Sequence, residues 1–140
     1  MTVLHFDLDA LRERLGDKRF KRAESYAEQG RVRIIVVEDR RASALVTGEG
    51  GDVYGVEADE SGDGLCTCPD FAETRACKHV GALALAAEGL DHQQARHLSA
   101  SFVRVRDALA FEDAAALSEM ILSLAKQVPG VIEALDREGR

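Results

Sequence analysis

All three cysteines of the chain fall between positions 66 and 77, as Cys66, Cys68 and Cys77, and His79 stands two residues beyond the last of them. The pattern C-x-C-x8-C-x-H constrains the fold more than any other feature. Four soft donors so close together suit one tetrahedral zinc ion, with thiolate sulfur at about 2.3 Å and imidazole nitrogen at about 2.0 Å, provided the chain reverses between the two pairs. In an extended segment, residues i and i+2 point to the same side, which aligns Cys66 with Cys68. The eight residues Pro69 to Ala76 are enough for the reversal. Four protein ligands leave no open position for water or substrate, so the expected site is structural. Three buried cysteines beside an incidental histidine require a coincidence of spacing. A disulfide framework fits less well, since three is an odd number and nothing suggests export.

The segments CTCPDF before the gap and ACKHVGALALA after it resemble the SWIM zinc-finger family, in particular small stand-alone prokaryotic SWIM proteins. That family's pattern is C-x-C, a variable gap and C-x-H running into an alanine-rich helix. The resemblance covers residues 52–90. It implies that Cys66, Cys68, Cys77 and His79 are the four ligands of a Zn2+ ion. SWIM modules occur with Swi/Snf-type helicases, Mutator-type transposases and recombination factors, and are linked to both DNA and protein binding. The resemblance therefore implies a protein partner, such as a helicase or recombination factor, with DNA as a second candidate.

Bulk composition narrows the setting. With 140 residues, 46% apolar and 31% charged, the chain has the make-up of a folded domain with a helical appendage, not of a disordered segment. The N-terminal stretch MTVLHFDLDALRERLG lacks the basic-then-apolar order of a signal peptide. The longest uncharged apolar run, Val80 to Ala87, is far below the roughly 18 residues of a membrane span. The expected location is the cytoplasm, whose reducing conditions suit zinc thiolates. The net charge of −7 is uneven: residues 1–48 carry ten Lys/Arg against eight Asp/Glu, residues 49–75 one against eight, and residues 76–140 seven against nine. A chain with pI near 5.1 is a poor general binder of polyanions, so nucleic-acid contact would have to be local.

Hydrophobic spacing predicts an α+β fold: N-terminal helices, a small antiparallel β-meander with the zinc site leading into a buried helix, and then C-terminal helices. Leu8, Leu11 and Leu15 mark a first helix stopped by Gly16; Asp17 is expected to cap a second, carrying Phe20, Ala23 and Ala27 and ended by Gly30. Segments 31–38, 41–47 and 52–58 read as strands, with Leu65 to Thr67 as a fourth. The acidic, Gly-rich stretches 47–52 and 57–64 are expected to be mobile loops, and Asp59, Glu60 and Asp63 do not follow a calcium-loop pattern. Cys77 is expected to open a helix to about Glu88 that is apolar nearly all round and hence sandwiched between the sheet and other helices. A short helix over 91–98, an ambiguous stretch 99–110, an amphipathic helix over 112–128 with Leu117, Ile121, Leu124 and Val128 on one face, and a last helix after Pro129 complete the chain. The expected domains are a SWIM domain over 1–98, with its finger core at 52–90, and a C-terminal helical segment over 99–140 packing on it.

Around Zn2+, three thiolates and a neutral imidazole carry a net charge of about −1. Arg75 and Lys78 flank the site and can offset it. The dense basic cluster Lys18, Arg19, Lys21 and Arg22, with Arg31, Arg33, Arg75 and Lys78, is the candidate contact surface for a partner or for phosphate. Direct DNA binding requires these groups to converge on one face. The expected function is a non-catalytic protein-interaction adaptor, in DNA repair, recombination or a related DNA-linked process. The alternatives are direct nucleic-acid binding and a redox-responsive regulator that loses zinc when its thiolates are oxidised. No enzyme motif is present: the chain has no deaminase H-x-E with P-C-x-x-C, no phosphate-binding Gly-Lys-Ser/Thr loop and no G-x-S-x-G elbow.

Overall fold

The first helices form because Leu11 and Leu15, and then Phe20, Ala23 and Tyr26, recur at helical spacing and bury one stripe each. In the computed structural model, which describes residues 4–138, these helices are α1 (Leu8–Leu15) and α2 (Asp17–Glu28). Asp7 caps α1 by accepting from the Ala10 N–H at 3.0 Å. Gly16, not Asp17, stands at the N-cap of α2, because its φ of 80° turns the chain between the two helices. Asp17 lies inside the first turn, where its charge favours the helix dipole.

Four antiparallel strands follow in sheet order β1 (Val32–Glu38), β2 (Arg41–Thr47), β3 (Val53–Asp59) and β4 (Gly64–Cys66). Ala42 pairs with Ala58 and Ala44 with Val56, so one face of the sheet is built of small buried side chains. The expected loop over 57–64 is instead the end of β3 and a bonded turn. Asp59 N–H donates to the Asp63 carbonyl at 2.8 Å, and Asp63 N–H to Asp59 Oδ1 at 3.1 Å. After β4 come α3 (Pro69–Thr74) and α4 (Lys78–Ala87). The short α3 was not expected from spacing. Pro69 at its first position and Cys68 as its N-cap build it.

As expected, α4 is covered on two sides: it packs on α2 and α1 and on the small-residue face of all four strands. His79, Val80, Gly81, Ala82, Leu83, Ala84 and Ala87 are all buried. Small residues allow the close approach. A Cβ on Gly64 would lie 2.7 Å from Val80 Cγ1. Full burial of Val80 and Leu83 stabilises by about 1.5–3 kcal/mol each. The far end of α4 is tied to the N-terminal segment, where Glu88 accepts from the Phe6 N–H at 2.6 Å and Leu4 accepts from the Gly89 N–H at 2.8 Å.

The stretches expected as a short helix over 91–98 and as ambiguous over 99–110 are one helix, α5 (His92–Leu109). His92 and His97 are exposed on it. The chain divides into two compact units at Phe102/Val103. The second unit contains α6 (Ala114–Gln127), capped by Asp113, and α7 (Val131–Glu138). Leu117 is half-buried there, whereas Ile121, Leu124 and Val128 are exposed. Among the described residues no helix is long and apolar enough to cross a membrane. The ends of the expected domain spans, residues 1–3 and 139–140, lie outside the described residues.

Candidate metal centre

β4 ends at Cys66, and Val56 opposite it sets its register. The chain then turns through Thr67, whose N–H donates to the Gly55 carbonyl at 3.1 Å and whose Oγ1 accepts from the Gly55 N–H at 3.1 Å. This keeps residues 66–68 extended along β3 and brings both sulfurs to one side. The helix α3 supplies the reversal. Its left-handed end at Arg75 (φ 58°) returns the chain to Cys77, the N-cap of α4, and His79 stands in the first turn. The donor atoms of Cys66, Cys68, Cys77 and His79 all lie within 4.8 Å of one another.

The donor set fits a soft divalent ion. For bond lengths near 2.3 Å to sulfur and 2.0 Å to nitrogen, a tetrahedron has sulfur-to-nitrogen edges of about 3.5 Å. The separation of Cys66 Sγ and His79 Nδ1 is 3.7 Å. Backbone donors already face the sulfurs: Cys68 N–H donates to Cys66 Sγ and Phe71 N–H to Cys68 Sγ, each at 3.4 Å. Cys77 Sγ makes no capping hydrogen bond, although the nearby Val80 N–H favours its thiolate electrostatically.

The three thiols of the cluster shift one another's ionisation. The Cys77 thiol is held down to about 4, first by a hydrogen bond from Cys66, against the opposing effect of burial, and then by His79. That same bond, followed by burial, pushes Cys66 up. Burial pushes Cys68 up as well. A bound cation would favour the ionised form of all three thiols. Cys68, Cys77 and His79 are buried and Cys66 is half-buried, so access to the sulfurs runs past Cys66.

Two aromatic rings complete the site. Tyr54 and Tyr26 lie with their centroids 4.8 and 5.6 Å from that of His79. The Tyr54 hydroxyl is raised, first by desolvation and then by Asp52 and the Cys68 and Cys66 sulfurs, so the ring is a neutral phenol. Neither tyrosine has a sequence signal linking it to the histidine; the packing of α2 and β3 around α4 brings them there.

The eight basic candidates do not share one face. Arg19 is bound to Asp70 of α3 through bonds of 3.2 and 3.3 Å. Arg31 donates to the Thr47 and Gly48 carbonyls at 3.3 and 3.0 Å, and its guanidinium lies 5.1 Å from the centroid of Tyr26. Lys78 Nζ lies 5.7 Å from the same ring. Arg75 is exposed at the end of α3, and Lys18, Lys21 and Arg22 are exposed on α2. Arg33 pairs with Leu45 on the outer face of the sheet, across the strands from α4. Arg75, expected to offset the charge of the site, makes no ion pair with a described residue, whereas Lys78 is engaged at the adjoining Tyr26 ring.

Fold and site together define an α+β protein whose four-stranded antiparallel sheet leads into a Cys3His cluster able to hold a metal ion. Compared with protein-family models, with curated proteins and with solved structures, the chain matches none.

Proposed function

We propose that this chain is a SWIM-type module in which Cys66, Cys68, Cys77 and His79 hold a structural Zn2+ ion, and that it acts as a non-catalytic adaptor for another protein. The outer face of the sheet is the observation that carries the adaptor reading. Leu45, Val53 and Leu65 are 38%, 56% and 57% exposed there, on three adjacent strands. Between them lies Gly55, which pairs with Leu45 and adds no side chain to this face. Charges of both signs border this patch: Glu57 opposite Leu65 with the nearby Asp52 and Asp59, and Arg33 opposite Leu45 with Arg41, which pairs with Glu57 at 3.9 Å. An apolar centre with a charged rim suits a protein partner with aliphatic and complementary charged side chains. The resemblance to SWIM modules directs such an adaptor to DNA repair or recombination.

Exposed Lys18, Lys21 and Arg22 on α2 favour direct nucleic-acid binding as the second reading. Affinity capture beside a DNA gel shift separates the two. The adaptor reading predicts a protein that binds the purified chain stoichiometrically and is lost from a Val53→Lys/Leu65→Lys variant that still folds. DNA retention at low salt, abolished by neutralising Lys18, Lys21 and Arg22, would overturn it in favour of the second reading.

A further inference from the structure

We infer that His79 meets the metal ion through Nδ1, and that the ring faces of Tyr26 and Tyr54, in place of a hydrogen-bonded carboxylate or carbonyl, hold its imidazole in that orientation. The inference rests on the metal-centre reading and adds to it which atom binds and what positions it.

Three observations carry it. Nδ1 stands 3.7 Å from Cys66 Sγ, close to the edge expected of a tetrahedral sulfur and nitrogen set. Nε2 is fully buried and has no hydrogen-bond partner among the described residues, sulfur atoms included. A neutral imidazole that binds through Nδ1 must carry its proton on Nε2, so a buried N–H is left facing whatever surrounds it. Two aromatic rings pack on the imidazole, the Tyr54 centroid 4.8 Å from that of His79 with the planes tilted by 41° and the Tyr26 centroid 5.6 Å away with a tilt of 59°. Tilted rings can offer a π face to an N–H edge, a weak interaction that nonetheless orients the group.

Metal-bound histidines ordinarily donate their second N–H to a carboxylate, carbonyl or water, which fixes the ring and raises its basicity. Here three thiolates already give the occupied site a charge of about −1. A carboxylate behind His79 would add a further buried negative charge; two neutral rings orient the imidazole without one. The stack continues outward. Tyr26 is faced by Arg31 and Lys78, and Arg31 is anchored on the carbonyls of Thr47 and Gly48. Arg31 and Lys78 are thus positioning residues for Tyr26, which accounts for two of the basic side chains that the sequence offers as phosphate contacts.

The test uses the full chain loaded with zinc. Long-range 1H–15N correlation of the histidine rings should place the His79 proton on Nε2, shifted by the neighbouring rings and slow to exchange with solvent. A proton on Nδ1, with Nε2 bound to metal, overturns the inference and leaves the metal centre standing; failure of the chain to take up zinc overturns both. Competition with a chromophoric chelator tests the clamp. Tyr54→Leu should weaken zinc binding about 10- to 100-fold, the range typical of lost outer-shell partners, while Tyr54→Phe stays within about threefold of the parent chain. Unchanged affinity in the leucine variant, or an equal loss in the phenylalanine variant, overturns the role of the ring face. Tyr54 is only half-buried, and the NMR measurement needs no variant, so a folding defect cannot decide the outcome.

Discussion

Gly81 of α4 and Ala23 of α2 meet at backbone distance: a Cβ added to Gly81 would lie 2.8 Å from the Ala23 Cβ and 2.7 Å from Leu15 Cδ1. The leucine tip can rotate away, but the Ala23 methyl is fixed to its helix. This contact sets how deeply the helix that follows the metal ligands can sit.

Gly81→Ala should therefore destabilise the protein, although alanine is the better helix former by about 1 kcal/mol. Overpacking costs about 1–3 kcal/mol. A lower urea midpoint with an unchanged slope is the expected result; a raised midpoint would show that α2 and α4 can separate without loss.

Metal removal should unfold more than the loop between the ligands. Binding free energies of about 10–16 kcal/mol for zinc in finger peptides rival the roughly 5–15 kcal/mol stability of a whole domain. Chelation is expected to abolish amide protection over at least residues 60–90. Cys68→Ser should lower both bound zinc and melting temperature, and a variant that kept both would remove Cys68 from the ligand set.

Ser99 is the only buried polar side chain besides His79 among the described residues, and its Oγ accepts from the Val37 N–H at 2.8 Å. The bond falls just after the irregularity between Ile34 and Val36, where the β1 ladder is disturbed. Ser99→Ala leaves that N–H without a partner, at a cost of about 1–3 kcal/mol. Faster hydrogen exchange at Val37 is the specific sign to look for; a stability change without it would point to packing alone.

Leu124 is 58% exposed despite lying on the apolar stripe of α6. Leu124→Gln, which keeps a good helix former, should change thermal stability by less than about 0.5 kcal/mol. A larger loss that depends on protein concentration would show that the stripe is covered by a second copy in solution.

Much of this molecule could be read locally. Leu11 and Leu15, the short strand segment 41–47, and the apolar run after His79 each marked an element because its signal lies within one or two turns of chain. The four-residue cluster was legible for the same reason. Asp17 was misplaced because a capping side chain and a glycine with positive φ are both valid helix starts, and only the reversal after Leu15 selects the glycine. The helix α3 is not legible in the sequence, since six residues carry too little periodicity.

The sequence by itself determined the α+β class, most of the elements and the four donors, because helical and strand periods and short ligand spacing are properties of neighbouring residues. Tertiary structure alone decided which rings flank His79, which basic groups are occupied, and that Leu45, Val53 and Leu65 share an open face. Those relationships include residues more than 50 positions apart, for example Tyr26 and His79, and depend on how α2, β3 and α4 pack. Periodicity says which side of a helix is apolar; only packing says what that side touches.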